Sequence, residues 1–320
     1  MNLHVTQTDI PSLIPHRFEN LLIDSATASI TDASYEGDMS LTITTPDPLN
    51  REIFTKQKTP TQRVILSTVC MEILALGSIV CSGASSDDVM VFFASITKFV
   101  KHGDLLVNIP IEGHIRKKKS KGEFLICEGT LQQQGAIVAS GDMMAFFFKK
   151  TDAPQESTKK TSDTVQIQHT MTIPLVKDPA LKAPSMYMVD TLIHRDDTTA
   201  MASYTFRSDH PLIKGHFPDR PVLMGVLQWM MVEDAVLAVA LEWKKQGLIG
   251  QHTVTLSAEL VKEDLTVVCE IKGVEAITYI DCPPYLNQAE IIKTDRVVFR
   301  DTISPNETVY ISLTNIQRLP

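Results

Sequence analysis

"GHFPDRPVLMGVLQWMMVEDA", residues 215–235, places a histidine after a glycine and before a Phe-Pro pair, directly ahead of a long apolar run. The apolar segment extends over residues 221–243, which is longer than a typical strand, and it is apolar on all faces. That pattern is typical of a helix that is buried all round. The first half holds a similar segment, "VILSTVCMEILALGSIV", at residues 64–80. The sequence therefore predicts two buried helices.

Each helical segment belongs to a repeated order of elements. In the first half, "LLID" (21–24) and the alternating "SYEGDMSLTITT" precede the helix, and alternating stretches follow it. In the second half, "YMVD" (187–190) and "TAMASYTFRS" stand in the same positions. A curled antiparallel sheet can enclose such a helix, and two such units can pair their sheet edges. The pattern predicts an α+β protein built from two similar units.

Length and composition agree with two domains. A chain of 320 residues with 43% hydrophobic content can bury two ordinary cores. Residues 149–170 are rich in Ser, Thr, Lys and Gln and poor in large apolar side chains, which indicates a linker. We predict an N-terminal domain at 1–150, a linker at 151–170 and a C-terminal domain at 171–320.

Charge and cysteine content exclude several classes of protein. The net charge of -8 argues against a general nucleic-acid binder. No signal peptide is visible at Met1–Ile10, and no apolar run suggests a membrane span. The cysteines lack CxxC spacing, so we expect reduced thiols, no zinc site and a cytoplasmic location. They are Cys70, Cys81, Cys127, Cys269 and Cys282.

"HPLIKGHFPDRPVLMGV" (210–226) resembles the signature of the (3R)-hydroxyacyl-(acyl carrier protein) dehydratases, which have the hotdog fold. Three further segments are similar to other parts of that family: "IPHRFENLLID" (14–24), "CMEILALGSIVCSG" (70–83) and "FFASITKFVKHGDLL" (92–106). The resemblance implies a double hotdog, in which each repeat is an antiparallel β-sheet wrapped around a long central helix.

The resemblance also implies a site shared between the two hotdogs. In the family, one hotdog supplies a histidine and the central helix of the other supplies a Glu or Asp. His216 stands at the histidine position, and Gly225 stands at the glycine whose N–H faces the thioester carbonyl. Phe217 and Pro218 belong to the same substrate-binding signature. Met230 occupies the position where the second helix would carry the acid.

The first half holds a candidate for the missing acid. Glu72 is the one charged residue between Val64 and Val80, and its neighbours are apolar. A carboxyl group in such surroundings resists ionisation, so its pKa should rise and it can donate a proton near neutral pH. Residues 50–63, ahead of this helix, contain no histidine. We predict one composite site of His216 and Glu72, and one inactive site around Met230.

By this resemblance the chain is a 3-hydroxyacyl-thioester dehydratase. His216 would remove the proton alpha to the thioester and Glu72 would protonate the departing hydroxyl, without a metal or an organic cofactor. The expected partner is an acyl carrier protein or coenzyme A thioester, with no nucleic acid and no membrane. The two halves would form a pseudo-dimer within the chain, and further homo-oligomers are left open.

Other assignments stay open for several residues. Glu72 can instead reach solvent or pair with Arg63, and a shift of one helical turn would put Thr68 in the acid position. Asp234 or Glu233 is the rival acid. We interpret His16 and Arg17 as structural residues that tie down the N-terminal segment.

Three alternatives concern function. The basic run "IRKKKSKGE" (115–123) fits a solvated hairpin turn or a docking patch for an acidic carrier protein. A non-catalytic acyl-binding or scaffold protein would explain the loss of the acid at Met230. A hotdog thioesterase would use Glu72 to activate water and would not need His216.

Overall fold

A computed structural model describes residues 1–31, 33–84, 89–149, 161, 167, 170–216 and 221–319. Within these ranges the chain forms a 14-stranded antiparallel sheet, a separate two-stranded hairpin and two α-helices. This is the α+β composition that the sequence predicts. The predicted linker at 151–170 falls mostly outside the described residues, so the domain division stays a prediction.

The N-terminal half contributes α1 and nine strands. They are β1 (Asn2–Thr6), β2 (Ser25–Ile30), β3 (Tyr35–Leu41), β4 (Thr55–Thr59), β5 (Gln62–Ile65), α1 (Val69–Ser82), β6 (Val89–Lys101), β7 (Ile111–Lys121), β8 (Phe124–Gln133) and β9 (Ala136–Lys149). Short 3-10 turns lie at Ile10–Ser12, Phe18–Asn20 and Arg51–Phe54.

The C-terminal half contributes α2 and seven strands. They are β10 (Ile173–Pro174), β11 (Thr191–Arg195), β12 (Ala200–Thr205), α2 (Gly225–Lys245), β13 (Gly250–Lys262), β14 (Val267–Ile280), β15 (Gln288–Phe299) and β16 (Thr308–Leu319). Further 3-10 turns lie at Pro184–Met186 and Pro211–Lys214.

One local prediction needs correction. The first apolar segment is not helical from residue 64, because Val64 and Ile65 belong to β5 and α1 begins at Val69. The apolar segments 21–24 and 187–190 lie outside the strands, and each ends just before β2 or β11. Periodicity alone could not separate these short apolar pieces from strands or helices.

The Asp that closes each of these segments has the same contacts in both halves. Asp24 accepts a hydrogen bond from the Thr42 N–H at 2.7 Å, and its own N–H donates to Ser40 O. Asp190 accepts from the Thr205 N–H at 3.0 Å, and its N–H donates to Ser203 O. The internal repeat inferred from "LLID" and "YMVD" is therefore present in the backbone.

The halves join edge to edge in one sheet. The strand order is β1-β2-β3-β7-β8-β9-β6-β15-β14-β13-β16-β12-β11-β10, so β6 and β15 form the central antiparallel pair. Edge pairing of this kind satisfies backbone groups that either half alone would leave open. The two halves therefore share one hydrogen-bonded sheet.

The strands after the helix are arranged differently in the two halves. In the N-terminal half, the first strand after the helix, β6, lies at the centre. In the C-terminal half, the first strand after the helix, β13, lies between β14 and β16, and the third, β15, lies at the centre. Both orders keep every neighbouring pair antiparallel, so both are compatible with the same sheet.

Both helices are buried against this sheet. Every residue of α1 except Ser82 is buried, and α2 is buried from Val226 to Ala240. Helix α1 contacts β2, β3 and β6 to β9, while α2 contacts β11, β12 and β14 to β16. Phe99 of β6 meets Trp229 of α2 edge to face, with ring centroids 4.8 Å apart. This contact makes the hydrophobic core continuous across the junction between the halves.

No α-helix among the described residues has the length and apolar character needed to cross a membrane. All five cysteines lie in the described segments and are free thiols, and only Cys282 is partly exposed.

A buried ion cluster crosses the centre of the sheet. The Lys58 ammonium lies 2.8 Å from Asp104 and 3.0 Å from Glu290, and Lys101 pairs with the same two carboxylates. Lys56 lies 3.9 Å from Glu290. Burial alone would raise the pKa of Glu290, but the three lysines hold it well below its usual value. The cluster thus links β4, β6 and β15.

We predict that Glu290→Gln lowers the free energy of unfolding by about 3–5 kcal/mol at neutral pH, because it leaves buried lysines without their shared carboxylate. Chemical denaturation measures the change. The deficit should shrink as the pH falls below 4.5, since the lowered pKa of Glu290 stabilises the fold only where the unfolded carboxyl would be ionised.

Glu270→Gln is the matched control, because Glu270 pairs with a partly exposed Arg300 at 2.7 Å. Its cost should be about 1 kcal/mol or less. Equal costs for the two variants would contradict a structural role for the central cluster.

Candidate functional site

The candidate site lies where the N-terminal segment of one half meets the loop that leads into α2. His216 follows the 3-10 turn Pro211–Lys214. Opposite it, residues 14–17 lead into the 3-10 turn Phe18–Asn20. The Arg17 N–H donates to the Gly215 carbonyl at 2.8 Å, which ties two segments that are far apart in the chain.

Gly215 is required for this contact. A Cβ at Gly215 would lie 2.3 Å from the Arg17 carbonyl oxygen and 2.1 Å from the Asn20 amide nitrogen. The Asn20 amide also donates to Leu212 O at 3.4 Å. The Arg17 guanidinium donates to the carbonyls of Ile14 and His16 at 2.8 and 2.7 Å, which fixes its own segment. The glycine of the GHFP motif is therefore explained by close backbone approach.

Three buried side chains converge beside this junction: His216, His16 and Glu72. Their exposed fractions are 7%, 4% and 2%, respectively. The rings of His16 and His216 have centroids 5.1 Å apart, and His16 Nε2 lies 3.6 Å from Glu72 Oε1. His16 therefore lies next to each of the two residues that the sequence pairs. Glu72 does not pair with Arg63, which donates to Thr55 instead.

His216 is held as a neutral base. Its Nδ1 lies 2.8 Å from the Val222 carbonyl oxygen, and a carbonyl can only accept, so Nδ1 carries the hydrogen. Nε2 then carries the lone pair. Burial lowers the pKa of His216 to about 4, although the bond to Val222 opposes this shift. The imidazole is therefore uncharged at neutral pH and has one basic nitrogen.

Glu72 is held as a protonated acid. Burial among apolar residues of α1 raises its pKa to about 8. Near neutral pH the carboxyl group therefore retains its proton. Burial also lowers the pKa of His16 well below 6.5, and the nearby His216 and Arg17 lower it further. The site as a whole thus combines two neutral imidazoles with a neutral carboxyl.

Gly225 is the first residue of α2, so no carbonyl within the helix can accept a hydrogen bond from its N–H. A Cβ at this position would lie 3.2 Å from the ring of Phe299, which leaves little room for a side chain. Phe217 and Pro218, which the sequence predicts to bind substrate, lie outside the described residues. Their roles stay predictions.

The rival acids of α2 are engaged elsewhere. Asp234 forms an ion pair with Lys182 at 2.6 Å and accepts from the Met188 N–H at 2.6 Å. Glu233 accepts from the Ser67 hydroxyl at 2.5 Å and from the Ile291 N–H at 2.9 Å. Both carboxylates therefore have structural partners. Neither pairs with His16 or His216 in the described residues.

Backbone hydrogen bonds also align the two helices. The Ile65 N–H donates to Leu105 O just beyond β6, and the Leu223 N–H donates to Ile303 O just beyond β15, each at 2.9 Å. Glu72 and Met230 stand the same number of residues after Ile65 and Leu223, the donors of these bonds, so they occupy equivalent positions in the two helices. The one-turn shift would instead put Thr68 opposite Met230, and the Thr68 hydroxyl is buried without a hydrogen-bond partner among the described residues.

The matching position in the other half holds an ion pair in place of the imidazoles. His16 and Lys182 stand the same number of residues before the equivalent Asp24 and Asp190, so they occupy equivalent positions in the two halves. Lys182 binds Asp234 and lies over the ring of Tyr187, with its ammonium 4.7 Å from the ring centroid. The residues ahead of α1 supply Lys56, which lies 3.7 Å from Glu233. At this second junction, basic groups from both halves form ion pairs with the carboxylates of α2.

The sequence interpretation missed His16 as a member of the site. The signal was present in "IPHRFENLLID", since that motif supplies a histidine next to the arginine whose N–H binds Gly215. The buried Lys56 and Lys182 carried no such signal, because neither stands in a recognisable pattern. Within the described residues, no three His, Cys, Asp or Glu side chains are grouped to hold a metal ion.

We predict that Gly215→Ala destabilises the fold by about 1–3 kcal/mol, because the new methyl group overlaps the backbone of Arg17. Equilibrium denaturation measures this change. Gly103→Ala is the control, since its Cβ meets nothing closer than Val138 at 3.9 Å. A Gly215→Ala variant as stable as Gly103→Ala would show that the two segments do not need this close approach.

No protein-family model matches the chain, and no curated protein matches it. Its structure is similar to dehydratase domains of polyketide synthases. The dehydratase domain of a mycocerosic acid synthase-like polyketide synthase is 10% identical with a TM-score of 0.48, and the match covers 93% of this chain and 96% of that one. For the dehydratase domain from the CurK module of curacin polyketide synthase, the values are 12% and 0.43, with 85% and 95% covered.

A putative thioesterase from Novosphingobium aromaticivorans is 10% identical with a TM-score of 0.42, and the match covers 89% of this chain and 96% of that one. At such identities the likeness concerns the fold alone.

Proposed function

We propose that the chain dehydrates a 3-hydroxyacyl thioester to a trans-2-enoyl thioester at one composite site between its two halves. One observation carries the proposal: a neutral, basic His216 and a protonated Glu72 converge on the same buried junction, and His16 is close to both. An elimination needs a base and an acid of this kind at the same time.

His216 is the base of the proposed reaction. Its Nε2 takes the proton from the carbon alpha to the thioester carbonyl, while the bond from Nδ1 to Val222 holds the ring. Negative charge then develops on the carbonyl oxygen. The Gly225 N–H at the start of α2 stabilises that charge, because helix N-termini present free N–H groups and a favourable dipole.

Glu72 is the acid. It donates its proton to the 3-hydroxyl group as the carbon–oxygen bond breaks, so the products are water and the enoyl thioester. The electrons of the broken carbon–hydrogen bond form the new double bond. Phe217 and Pro218 bind the substrate in this proposal, by analogy with the motif they belong to.

The finer fold assignment belongs to the same proposal. Residues 1–150 and 171–320 each form a hotdog in which the sheet wraps around α1 or α2, joined by a linker at 151–170. The burial of both helices and their contacts with most strands of their own half support it. The two units act as a pseudo-dimer within one chain.

An acyl carrier protein or coenzyme A carries the acyl group. The basic run at 115–123 lies on β7 and the turn into β8. There Arg116 pairs with Glu128, and Lys118 pairs with Glu128 and Asp142 at 3.1 and 3.2 Å. Because two of these charges already have partners on the sheet, this run supports a solvated hairpin better than a carrier-docking patch.

The protonation state of Glu72 separates dehydration from thioester hydrolysis. A thioesterase would need Glu72 ionised, so that it could activate water as a base. Burial raises the pKa of Glu72 to about 8, so the carboxyl is protonated at neutral pH. That state suits an acid that protonates a leaving hydroxyl.

We predict a bell-shaped pH profile of kcat/KM for dehydration. Activity should fall as the pH drops through about 4, where His216 becomes protonated, and as it rises through about 8, where Glu72 loses its proton. Glu72→Gln should remove the alkaline limb from the residual activity. A wild-type profile that keeps rising above pH 8 would rule out Glu72 as the acid.

We also predict that His216→Ala lowers the rate of enoyl thioester formation by roughly 10²–10⁴-fold, because it removes the base. His252→Ala, a histidine on β13, is the matched control and should retain activity. Thioester hydrolysis measured in parallel identifies a thioesterase, which would survive His216→Ala. A wild-type chain that binds acyl thioesters without converting them would identify a binding protein.

A further inference from the structure

His16 is close to both the proposed base and the proposed acid. Its Nε2 is 3.6 Å from Glu72 Oε1, slightly longer than a hydrogen bond, and its ring centroid is 5.1 Å from that of His216. At that centroid separation, facing ring nitrogens of two imidazoles can come within hydrogen-bond distance. For a proton to pass between the two imidazoles, the His16 ring must turn so that its Nε2 faces His216.

One turnover leaves the site in the wrong protonation state. His216 has gained the proton from the substrate carbon, and Glu72 has lost its proton to the departing hydroxyl. Before the next substrate can react, a proton must return from His216 to Glu72. Both side chains are buried, with exposed fractions of 7% and 2%, so bulk water has poor access to them.

We propose that His16 resets the site by carrying this proton from His216 to Glu72. The inference rests on the proposed dehydration, and it assigns a role to a residue that the reaction itself does not use. His16 acts as a positioning residue and proton carrier that never touches the reacting carbon atoms.

The proton transfer through His16 uses only one of its ring nitrogens, Nε2, and every bond that breaks is matched by one that forms. The Nε2–H bond of protonated His216 breaks, and the proton adds to the lone pair of His16 Nε2. The ring turns toward Glu72, the new Nε2–H bond breaks, and the proton adds to the carboxylate oxygen. His16 keeps its Nδ1 hydrogen throughout, so it returns to its starting tautomer. No oxidant, reductant or second substrate is needed.

The electrostatics of the site favour this direction. Burial lowers the pKa of both histidines, with that of His216 near 4, and raises the pKa of Glu72 to about 8. A proton on either imidazole is therefore held more weakly than a proton on the carboxylate. The transfer from His216 through His16 to Glu72 runs downhill. The counterpart of His16 in the other half, Lys182, is already held by Asp234.

The test separates the first turnover from later ones. The full chain is mixed rapidly with excess 3-hydroxyacyl-pantetheine thioester, and the enoyl product is followed by its absorbance. His16→Gln keeps a polar side chain of similar reach but cannot carry a proton. We expect about one equivalent of product per site at a rate close to wild type, followed by turnover that is slower by roughly 10²-fold.

A second readout uses added imidazole, a small proton carrier. It should speed the slow phase of His16→Gln and leave wild type unchanged, which a merely structural role of His16 would not produce. His16→Asn repeats both measurements if the Gln variant does not fold. His252→Gln, a histidine on β13 outside the site, is the control and should show no burst.

Each result decides the question. A burst in His16→Gln supports the relay. If the first turnover slows as much as the later ones, or if neither changes, the relay is wrong while dehydration stands. If wild type forms no enoyl thioester, the proposed function fails together with the relay.

Discussion

The backbone hydrogen bond from Arg17 to Gly215 is the constraint on which the site depends. It joins the N-terminal segment to the loop before α2, and it forms only because Gly215 has no side chain to meet the Arg17 carbonyl. Once these two segments touch, His16 and His216 are brought together as the residues next to the bond. Helix α1 then places the Glu72 carboxyl next to His16. The junction between the halves thus creates a site that neither segment could form alone.

Burial has opposite consequences at two places in the same interface. At the candidate site, few opposing charges are near, so burial keeps His216 neutral and Glu72 protonated. At the central cluster, three lysines surround Glu290, and their attraction outweighs burial and keeps it ionised. The first arrangement leaves groups that can exchange protons. The second binds its charges in fixed pairs and contributes to the joining of the halves.

The two halves are unequal copies of one plan. Asp24 and Asp190 keep the same backbone contacts, and residues 65 and 223 make equivalent bonds ahead of the helices. The strand that reaches the centre differs, however, so β15 carries Glu290 into the lysine cluster, while β6 carries Lys101. The junction that brings the two histidines together, one from each half, keeps a site of neutral groups. Its counterpart holds ion pairs, which agrees with the proposal of one active site for each chain.

The sequence by itself determined the repeat, the two buried helices, and the choice of His216 and Glu72 as candidates. These rest on local signals: periodicity, a GHFP motif and one carboxyl in an apolar segment. Only the tertiary structure decided that His16 joins them, that Lys182 engages Asp234, and which strands meet at the centre. The reason is that these features are contacts between residues far apart in the chain. An antiparallel sheet is compatible with more than one strand order. No sequence pattern predicts the ion-pair partner of a single buried lysine.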